Sequence, residues 1–470
     1  MKAPSFLSVL VLLLVGVAHA LSSSGSRLLV VTDDPTQKGK YSKFWADLEG
    51  RGFSITFESP KSDPALTQHG ELNYDHLLIL PTKLKALGPA LTPQLILDFM
   101  KKEGNVLLAL SSGTTTPTTL TSLLLELDIH LPLERDGLVV DHFNFDAQSA
   151  ADKHDVLLLP RPGPLRQGAK NYFGGDGLLA VPRAIGQTLG NASPLLAPIL
   201  PAPPTAYSYN PSEESEALED PFATGKQLSL ATAFQSRNSA RFSVLGSAEM
   251  LEDAWFGATV KLGDAGKTKT ANQEFAKALT GWTFKELGVL KVGHLQHFLR
   301  KGSDSLSANG TEVADSELNP KIYRIKNEAT YTIELSEYSV DHWIPFVPAT
   351  SDSVQLEFSM LSPYHRLSLA PVRSTSNSTI YATSFILPDQ HGIFNFRVNY
   401  KRPFLNNVDE KNTVTVRHFA HDEWPRSFAI SGAWVWIVGI WATVVGWLGF
   451  CGLWLWSAPR DEKRIVKKRN

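Results

Sequence analysis

The sequence predicts a chain of mixed class, in which an α/β region is followed by an all-β region and a single membrane helix. Three observations predict this order. Over residues 27–128, short apolar runs alternate with helical stretches, which is typical of a parallel sheet covered by helices. Beyond Gly302, apolar and polar residues alternate, which favours an antiparallel sandwich. Residues 427–459 carry no charge, and this run is long enough to cross a bilayer as a helix.

The α/β region is interpreted as a Rossmann-like domain at 21–293, with a proline-rich insert at 160–211. Its apolar runs are short and continuous, as expected of strands that are buried on both faces. One helix has clear ends, because Thr92 and Pro93 suit its start and Gly104 stops it. The predicted strands are 28–32, 53–57, 76–80 and 106–110 with two more within 227–245, and the predicted helices are 41–48, 93–102, 118–127 and 272–287.

The second region is predicted as a β-sandwich-like domain at 320–420, after a linker at 294–319 that is rich in Ser, Asp and Asn. Alternation with period two lets one face of each strand enter a core while the other meets solvent. No internal repeat stands out. The predicted strands are 331–335, 354–358, 394–400 and 414–416.

Both ends of the chain predict a secretory, membrane-anchored protein. A positively charged start, an apolar run and the small-x-small site Ala18-His19-Ala20 predict a signal peptide at 1–20. The uncharged run predicts a transmembrane helix at 428–456. The tail at 457–470 is rich in Lys and Arg and the opposite flank is not, so the positive-inside rule places the tail in the cytosol. The protein is therefore expected to be a single-pass type I membrane protein with most of its chain in the lumen.

Small residues predict that the membrane helix packs against another helix. Glycines recur every seven residues and share nearly one helix face, where small side chains let a neighbouring helix approach closely. The alternative is that glycine is simply common in membrane helices. The predicted helix-packing residues are Gly432, Gly439, Ala442, Gly446 and Gly449.

Two further signals concern the cell compartment. Lys467 and Lys468 stand four and three positions from the end, which matches a dilysine signal read by coat machinery for retrieval to the endoplasmic reticulum. The triplets that begin at Asn191, Asn309 and Asn377 are candidate glycosylation sites, and Pro194 weakens the first. Both signals agree with an endoplasmic reticulum membrane protein.

Composition excludes several classes of function. Lys and Arg total 45 against 47 Asp and Glu, so the chain has no basic footprint for nucleic acid. The single cysteine, Cys451, lies in the predicted membrane helix. Intramolecular disulfides, thiol catalysis and cysteine-based metal sites are therefore excluded.

The best candidate for catalysis is Ser111, in Ala109-Leu110-Ser111-Ser112-Gly113 directly after a predicted strand. The segment approximates the nucleophile elbow of α/β hydrolases, and His142 or His154 would be the general base. Two departures weaken this interpretation, because the first glycine is replaced by alanine and several residues separate the serine from its helix. A loop of Ser, Thr and Gly is ordinary turn chemistry.

The other candidate clusters have simpler interpretations. Asp33 and Asp34 follow the first strand and would suit a metal or a sugar hydroxyl, but an aspartate pair at a helix start is the plainer reading. Asp141 and His142 are expected to form a structural pair. No phosphate-cradling glycine loop follows a strand, so a nucleotide site lacks its main signal. We therefore predict no catalytic, cofactor-binding or metal-binding residues.

Motifs along nearly the whole chain resemble the Wbp1/DDOST family, a non-catalytic subunit of dolichyl-diphosphooligosaccharide–protein glycosyltransferase. Each motif is modestly specific, but their order together with the signal, anchor and dilysine end is strong. The matching segments are LLVVTDD (28–34), LEGRGF (48–53), YDHL (74–77), VDHFNFD (140–146), QSRNSAR (235–241), WTFKELGVL (282–290) and LPDQHGIFNF (387–396).

The resemblance implies an accessory subunit of the oligosaccharyltransferase complex, which transfers a preassembled glycan from dolichyl diphosphate to asparagine in N-x-S/T sequons. It implies that catalysis belongs to a multi-spanning subunit, that a ribophorin-II-like subunit and a small DAD-type subunit are partners, and that the lumenal domains help to position donor or acceptor. The family's α/β domain is similar to glutamine-amidotransferase-like folds, whose cysteine nucleophile this lumenal region lacks. A lumenal serine hydrolase using Ser111 and an ER-retrieved, glycan-binding cargo receptor stay open as alternatives.

Overall fold

The computed structural model describes residues 22–33, 35–132, 137–190, 193–210, 221–263, 266–300, 318–423 and 433–457. Two compact units divide the chain, one up to Val416 and one from Arg417 onward. The predicted signal peptide, the predicted cytosolic tail beyond Ser457 and most of the predicted linker lie outside the described residues.

The described residues form strands throughout the first unit and a few helices. The helices are α1 Ser42–Gly50, α2 Pro93–Lys101, α3 Thr118–Glu126, α4 Asp253–Phe256, α5 Asn272–Thr283 and α6 Ala433–Trp456. The strands are β1 Arg27–Val31, β2 Ser54–Glu58, β3 Thr67–Gln68, β4 Glu71–Leu72, β5 His76–Ile79, β6 Asn105–Ala109, β7 Ile129–His130, β8 Leu138–Val140, β9 Val156–Pro160, β10 Leu178–Pro182, β11 Thr188–Leu189, β12 Leu196–Pro201, β13 Tyr207–Tyr209, β14 Ser229–Gln235, β15 Arg241–Leu245, β16 Thr259–Val260, β17 Thr268–Lys269, β18 Leu287–Leu299, β19 Ile322–Arg324, β20 Glu328–Ser339, β21 His342–Pro345, β22 Gln355–Ser359, β23 Pro363–Ser368, β24 Ala370–Ser374, β25 Thr379–Ile386, β26 Gly392–Tyr400 and β27 Val408–Arg417.

A seven-stranded sheet organises the first region, in the order β12-β14-β15-β6-β5-β1-β2. Strands β2, β1, β5, β6 and β15 run parallel. Strand β14 runs against both of its neighbours, which makes the sheet mixed. The predicted α/β class is confirmed, and the amino ends of the five parallel strands share one edge of the sheet.

Helices cover this sheet on both faces. Along β1, Leu28 and Val30 pack into a core with α1 and α5, whereas Leu29 and Val31 pack into a second core with α2 and α3. This division follows from geometry, because successive side chains of a strand point to opposite faces. The continuous apolar runs of the sequence thus mark strands buried on both sides.

One prediction within this region needs correction. The late helix α5 ends at Thr283 rather than at residue 287, because Lys285 (φ +59°) and Gly288 (φ +68°) turn the chain through left-handed backbone. The proline-rich insert contributes four strands, one of them β12. Strand β12 lies at the edge of the sheet, which is where a sheet tolerates proline.

The second region is a sandwich of two sheets, as predicted. One has the order β18-β20-β25-β24 with β21 on β20, and the other has the order β19-β27-β26-β22-β23. Their inner faces meet through aromatic side chains, with Phe385 at 5.3 Å from Phe358 and Tyr331 at 5.6 Å from Phe396, measured between ring centroids. Strand β18 begins at Leu287, so residues 294–299 of the predicted linker are strand.

Contacts between the sheet regions join them into one compact unit, and the domain limits predicted from the sequence stay predictions. Helix α6 belongs to the other unit. Its 24 residues are long and apolar enough to cross a membrane, and none of them is buried. It falls within the predicted span at 428–456.

Candidate functional site

The carboxyl edge of the first sheet is where α/β proteins usually bind ligands, and Ser111 lies there. Its hydroxyl accepts a hydrogen bond from the backbone N–H of Gly113 at 3.2 Å. The adjoining cavity has a volume of only about 10 Å³, and no histidine lines it. Helix α3 does not begin until Thr118, so the strained strand-to-helix turn of a hydrolase is missing. The site has a serine without a base or a place for substrate.

A larger cavity of about 480 Å³ lies near this edge. Its lining combines three threonines and one histidine with apolar side chains, and includes no Lys, Arg, Asp or Glu. In this wall Thr188 pairs with His130 across β11 and β7, and Nε2 of His130 lies 3.3 Å from a carboxylate oxygen of Asp128. The lining residues are Thr116, Thr121, Leu125, Ile129, His130, Leu131, Pro132, Ile185, Thr188 and Phe222.

The two predicted acidic clusters have structural roles. Asp33 accepts a hydrogen bond from the backbone N–H of Lys83, which ties together the loops after β1 and β5. Asp34 lies outside the described residues. Asp141 is buried and accepts bonds from the backbone of Phe143 and from the side chains of Asn144 and Thr205, at 2.7–2.9 Å. Burial opposes ionisation of Asp141, but these bonds hold its pKa below the usual range.

His142 does not pair with Asp141. Its ring nitrogens contact His154 and the hydroxyl of Tyr207 instead. The expected Asp141–His142 pair is therefore wrong, because Asp141 turns inward to cap its own loop while His142 faces solvent. Among the described residues, no three His, Cys, Asp or Glu side chains converge as metal ligands.

Polar chemistry concentrates at the opposite, amino edge of the sheet. His76, at the start of β5, is completely buried. Its Nε2 lies 3.1 Å from the carbonyl of Gly25 and its Nδ1 lies 3.3 Å from the amide nitrogen of Asn105. These partners suit a neutral ring that donates through Nε2 and accepts at Nδ1. Burial lowers the pKa of His76 to about 4, so the ring is neutral at ordinary pH.

A buried ion pair lies beside it. Arg51, directly after α1, donates from Nη1 to Glu286 at 2.6 Å, and both side chains are almost inaccessible to solvent. The same guanidinium bonds Asp47 at 2.8 Å and the hydroxyl of Thr280 at 2.8 Å. Burial raises the pKa of Glu286, and Arg51 opposes that rise. Since Glu286 follows α5, this pair fixes the turn between α5 and β18.

Arg241, the first residue of β15, connects the two sheet regions. It is completely buried, and its guanidinium donates to the carbonyls of Trp282, Leu287 and Gly288 and to the side chain of Asn406. Its two bonds to Gly288 and Asn406 measure 2.7 and 2.8 Å. Burial lowers the pKa of Arg241 to about 9, which still leaves it protonated at neutral pH.

Other contacts across the same boundary extend from Arg241. The indole N–H of Trp282 donates to the carbonyl of Phe404 at 2.9 Å, and Gln235 donates to the carbonyl of Leu405 at 2.6 Å. Glu337 of β20 accepts bonds from Lys170 and from the hydroxyl of Tyr172. The boundary is therefore hydrogen-bonded along much of its length.

The resemblance motifs thus meet at the amino edge. Residues from LEGRGF, YDHL, QSRNSAR and WTFKELGVL contact one another there although they are distant in sequence. Sequence reasoning quoted these motifs but missed the roles of Arg51, Arg241 and Glu286. A charged residue at the very start of a predicted buried strand, as at Arg241, was the available signal.

The remaining predicted sites are located only in part. Gly439, Ala442, Gly446 and Gly449 are exposed on α6, and a Cβ added at any of the three glycines would meet no atom within 4 Å. Asn377 is exposed in the turn between β24 and β25, as a glycosylation site requires. Gly432, Asn191, Asn309, Lys467 and Lys468 lie outside the described residues.

The fold and the site define a class of protein before any comparison. It is an α/β and β-sandwich protein with one helix long and apolar enough to cross a membrane, and its buried polar residues hold its own parts together. Two family models match the sequence, described as OST48, N-terminal domain over residues 19–286 and OST48 middle domain over residues 309–458.

Curated relatives match nearly the whole chain. It is 34% identical to "Dolichyl-diphosphooligosaccharide--protein glycosyltransferase subunit wbp1" of Schizosaccharomyces pombe, over 92% of this chain and 93% of that one. It is 30% identical to the subunit WBP1 of the same transferase from Saccharomyces cerevisiae, over 97% and 98% of the two chains. The chain belongs to the OST48 family, which confirms the resemblance found in the sequence.

A weak similarity to a solved structure is also found. A glutamine amidotransferase from Thermotoga maritima covers 47% of this chain and 74% of its own, at 12% identity and a TM-score of 0.23. A score that low does not establish a common fold.

Proposed function

We propose that this chain is an accessory, non-catalytic subunit of the oligosaccharyltransferase of the endoplasmic reticulum. That complex transfers a preassembled glycan from dolichyl diphosphate to asparagine in N-x-S/T sequons. The observation that carries the proposal is the match to named subunits of this transferase over nearly the whole chain. It supports a subunit of the complex rather than a protein that shares one domain with it.

In this proposal the chain scaffolds the complex and helps to position donor or acceptor. Catalysis belongs to a multi-spanning partner, and a ribophorin-II-like subunit and a small DAD-type subunit are further partners. The exposed glycines of α6 support helix packing as the mode of attachment in the membrane. The polar residues of the amino edge are hydrogen-bonded across the boundary between the two sheet regions. They support a scaffolding role, because a rigid joint keeps the outer surfaces of the two regions in a fixed arrangement.

A gentle-detergent pull-down of the tagged chain tests the proposal. The eluate is analysed by mass spectrometry and assayed for peptide N-glycosylation. Recovery of a multi-spanning glycosyltransferase with transfer activity is the expected result, and an inactive chain recovered alone would overturn it. A fluorophosphonate probe in the same eluate checks the hydrolase alternative, which requires labelling of Ser111. Saturable glycan binding by a chain outside any stable complex would favour the cargo-receptor alternative.

The mode of attachment is tested by substitution in α6. Replacing Gly439 and Gly446 by leucine fills the predicted contact face, so the partner subunits should be lost from the pull-down. Replacing Val438 and Val445 by leucine is the matched control, since these neighbours point to a different side of the helix. Equal recovery of partners with both variants would show that the glycine face is not the contact.

We also propose that the tail is cytosolic and that Lys467 and Lys468 bind coat machinery that returns the chain to the endoplasmic reticulum. Replacing both by serine in a copy expressed without its partners should let that copy reach later compartments, which complex-glycan processing at the sequons would reveal. If the copy stays, retention comes from assembly or from the membrane helix.

A further inference from the structure

The sandwich has a proximal end, where Leu287 begins β18 beside the first region, and a distal end, where β18 finishes. Strands β18 and β25 both run antiparallel to β20, so β25 also finishes at the distal end. There the loop 387–391 joins β25 to β26 in the other sheet. Gly392 of β26 pairs with Val416 near the finish of β27. The chain therefore leaves the sandwich toward α6 from the distal end.

Large apolar side chains are exposed at this distal end. Leu361, in the turn between β22 and β23, is 98% exposed. Ile386 and Ile393 lie on either side of the loop between the sheets, and each is 62% exposed. Ile322, at the start of β19, is 60% exposed next to the last residues of β27. We call these four residues the distal patch.

Strand pairing brings the members of the distal patch together although they are distant in sequence. Ser359, just before the turn of Leu361, pairs with Asn395 in β26. A Cβ added at Gly392 would lie 2.7 Å from the sulfur of Met360. The turn of Leu361 thus lies against the start of β26, and the patch is one surface at the tip of the sandwich.

The segments that form this tip carry little charge. Residues 359–365 include no Asp, Glu, Lys or Arg, and neither do residues 390–396. Asp389, in the loop between the sheets, is paired with Lys326 at 3.2 Å. An exposed aromatic side chain, Tyr364, stands in the same segment as Leu361. Aliphatic and aromatic side chains without charge suit the interface of a lipid bilayer, where charged groups are costly.

The sequence limits how far the distal end can lie from the membrane. Twelve residue steps separate Val416 from Phe428, where the predicted membrane span begins. Fully extended, they cover roughly 40 Å, which is an upper limit. Because the tether starts at the distal end, it restricts the distance of this end from the bilayer more than that of any other part of the sandwich. Contact between the distal patch and lipid is therefore within reach.

We propose that the distal patch inserts into the interface of the bilayer that α6 crosses. Leu361, Ile386 and Ile393 enter the level of the lipid headgroups, so the sandwich rests on the membrane by its distal end. The patch has an apolar, uncharged character, so its attachment needs no anionic lipid. This inference rests on α6 as a membrane span and goes beyond the proposed subunit role, on which it does not depend.

The test measures depth in the full-length chain, purified without partners and reconstituted in phosphatidylcholine nanodiscs. Cys451 is replaced by alanine, and Leu361→Cys then carries an environment-sensitive fluorophore. Val347→Cys is the matched control, since Val347 is also exposed, at 62%, and follows Phe346, which packs 5.7 Å from Tyr400 at the proximal end. A nitroxide attached high on the lipid acyl chains should quench the label at residue 361 at least about threefold more than the label at residue 347.

A further labelled variant tests the apolar patch itself. Adding Ile386→Asp and Ile393→Asp to Leu361→Cys should reduce quenching by the lipid nitroxide to the level of the control, because carboxylates oppose insertion. Both isoleucines are exposed, so the core is left intact, and circular dichroism checks the fold.

Equal quenching of the labels at residues 361 and 347 would overturn the proposal. Quenching that survives both aspartates in a folded chain would overturn it as well. So would a label at residue 361 that is shielded from aqueous iodide without being quenched by lipid, since that result would assign the distal patch to a second copy of the chain. The chain is measured alone, so a failure of the proposed subunit role leaves these outcomes unchanged.

Discussion

The two edges of the first sheet differ in what their polar residues do. At the carboxyl edge, where α/β proteins usually bind ligands, Ser111 contacts only its own loop beside a cavity too small for substrate. At the amino edge, Arg51, His76 and Arg241 are buried and bonded to distant parts of the chain. The buried polar residues of this α/β fold therefore form an internal joint. Near the carboxyl edge, the cavity of about 480 Å³ has room for a ligand, whereas Ser111 does not border it.

The largest loss of stability is expected when Arg241 is replaced by methionine. Three carbonyls and Asn406 would lose their donor inside the protein, so we expect the free energy of unfolding to fall by about 4–5 kcal/mol. Denaturant unfolding of the detergent-purified chain measures it. Arg237→Met is the matched control, because Arg237 lies four residues earlier and is exposed. Similar losses for the two variants would contradict the assigned role of Arg241.

A somewhat smaller effect is expected at the buried ion pair. Glu286→Gln leaves Arg51 without its closest anion, so we expect a loss of about 3 kcal/mol. The double variant Arg51→Met with Glu286→Leu should be less harmful than the single one, since it removes both charges. Asp98→Asn breaks an exposed pair with Lys101 and should change stability by less than about 0.5 kcal/mol. If Glu286→Gln lowers the free energy of unfolding no more than Asp98→Asn does, the Arg51–Glu286 pair does not stabilise the protein.

Acid should weaken the amino edge through His76. The folded-state pKa is about 4 and the ordinary value is 6.5, so between these values the unfolded chain binds the proton more readily. Stability contributed by the neutral ring is therefore complete above about pH 6.5, falls as the pH drops, and levels off below about 4. The midpoint temperature of thermal unfolding, followed from pH 7 to 4, measures this loss of stability. In the His76→Gln variant this temperature should fall less steeply as the pH drops. His297, whose pKa burial also lowers to about 4, should account for a remaining slope. An unchanged curve in His76→Gln would contradict the assignment.

The smallest effect is expected at the carboxyl edge. Ser111→Ala removes one hydrogen bond to the backbone of Gly113 in a loop, so stability should change by less than about 0.5 kcal/mol. Peptide N-glycosylation by the purified complex should be unchanged. A loss of transfer activity without a loss of stability would instead show that Ser111 at the carboxyl edge has a functional role.

Much of the fold could be predicted from local sequence patterns. Apolar runs marked β1, β5 and β6, and period-two alternation marked β20 and β26, because burial on one or two faces leaves a direct trace in the sequence. The start of α2 was predictable from Thr92 and Pro93, and the hydroxyl of Thr92 accepts the N–H of Leu95 as a cap should. These features depend on neighbours along the chain.

Features that depend on distant partners were missed. Glu286 is unremarkable in sequence, and Arg241 was marked only by its charge at the start of a predicted buried strand. Only the folded chain brings Arg51 to Glu286 and three carbonyls to Arg241. The end of α5 was misplaced because Lys285 takes a left-handed conformation, and its carbonyl accepts the backbone N–H of Ser23 from outside the helix. Asp141 and His142 were adjacent and complementary, but a buried loop cap outweighed their pairing.

The bonds of Arg241 to Trp282, Leu287 and Gly288 have a consequence for how the joint can be studied. All three acceptors are main-chain carbonyls, which every amino acid supplies. Alanine at Trp282 or Leu287 would keep its carbonyl acceptor, whereas Gly288 (φ +68°) has no room for a side chain, because a Cβ there would lie 2.3 Å from the carbonyl oxygen of Phe404. The joint therefore recognises the course of the backbone, and it constrains the sequence of the partner segment only where that course itself requires glycine.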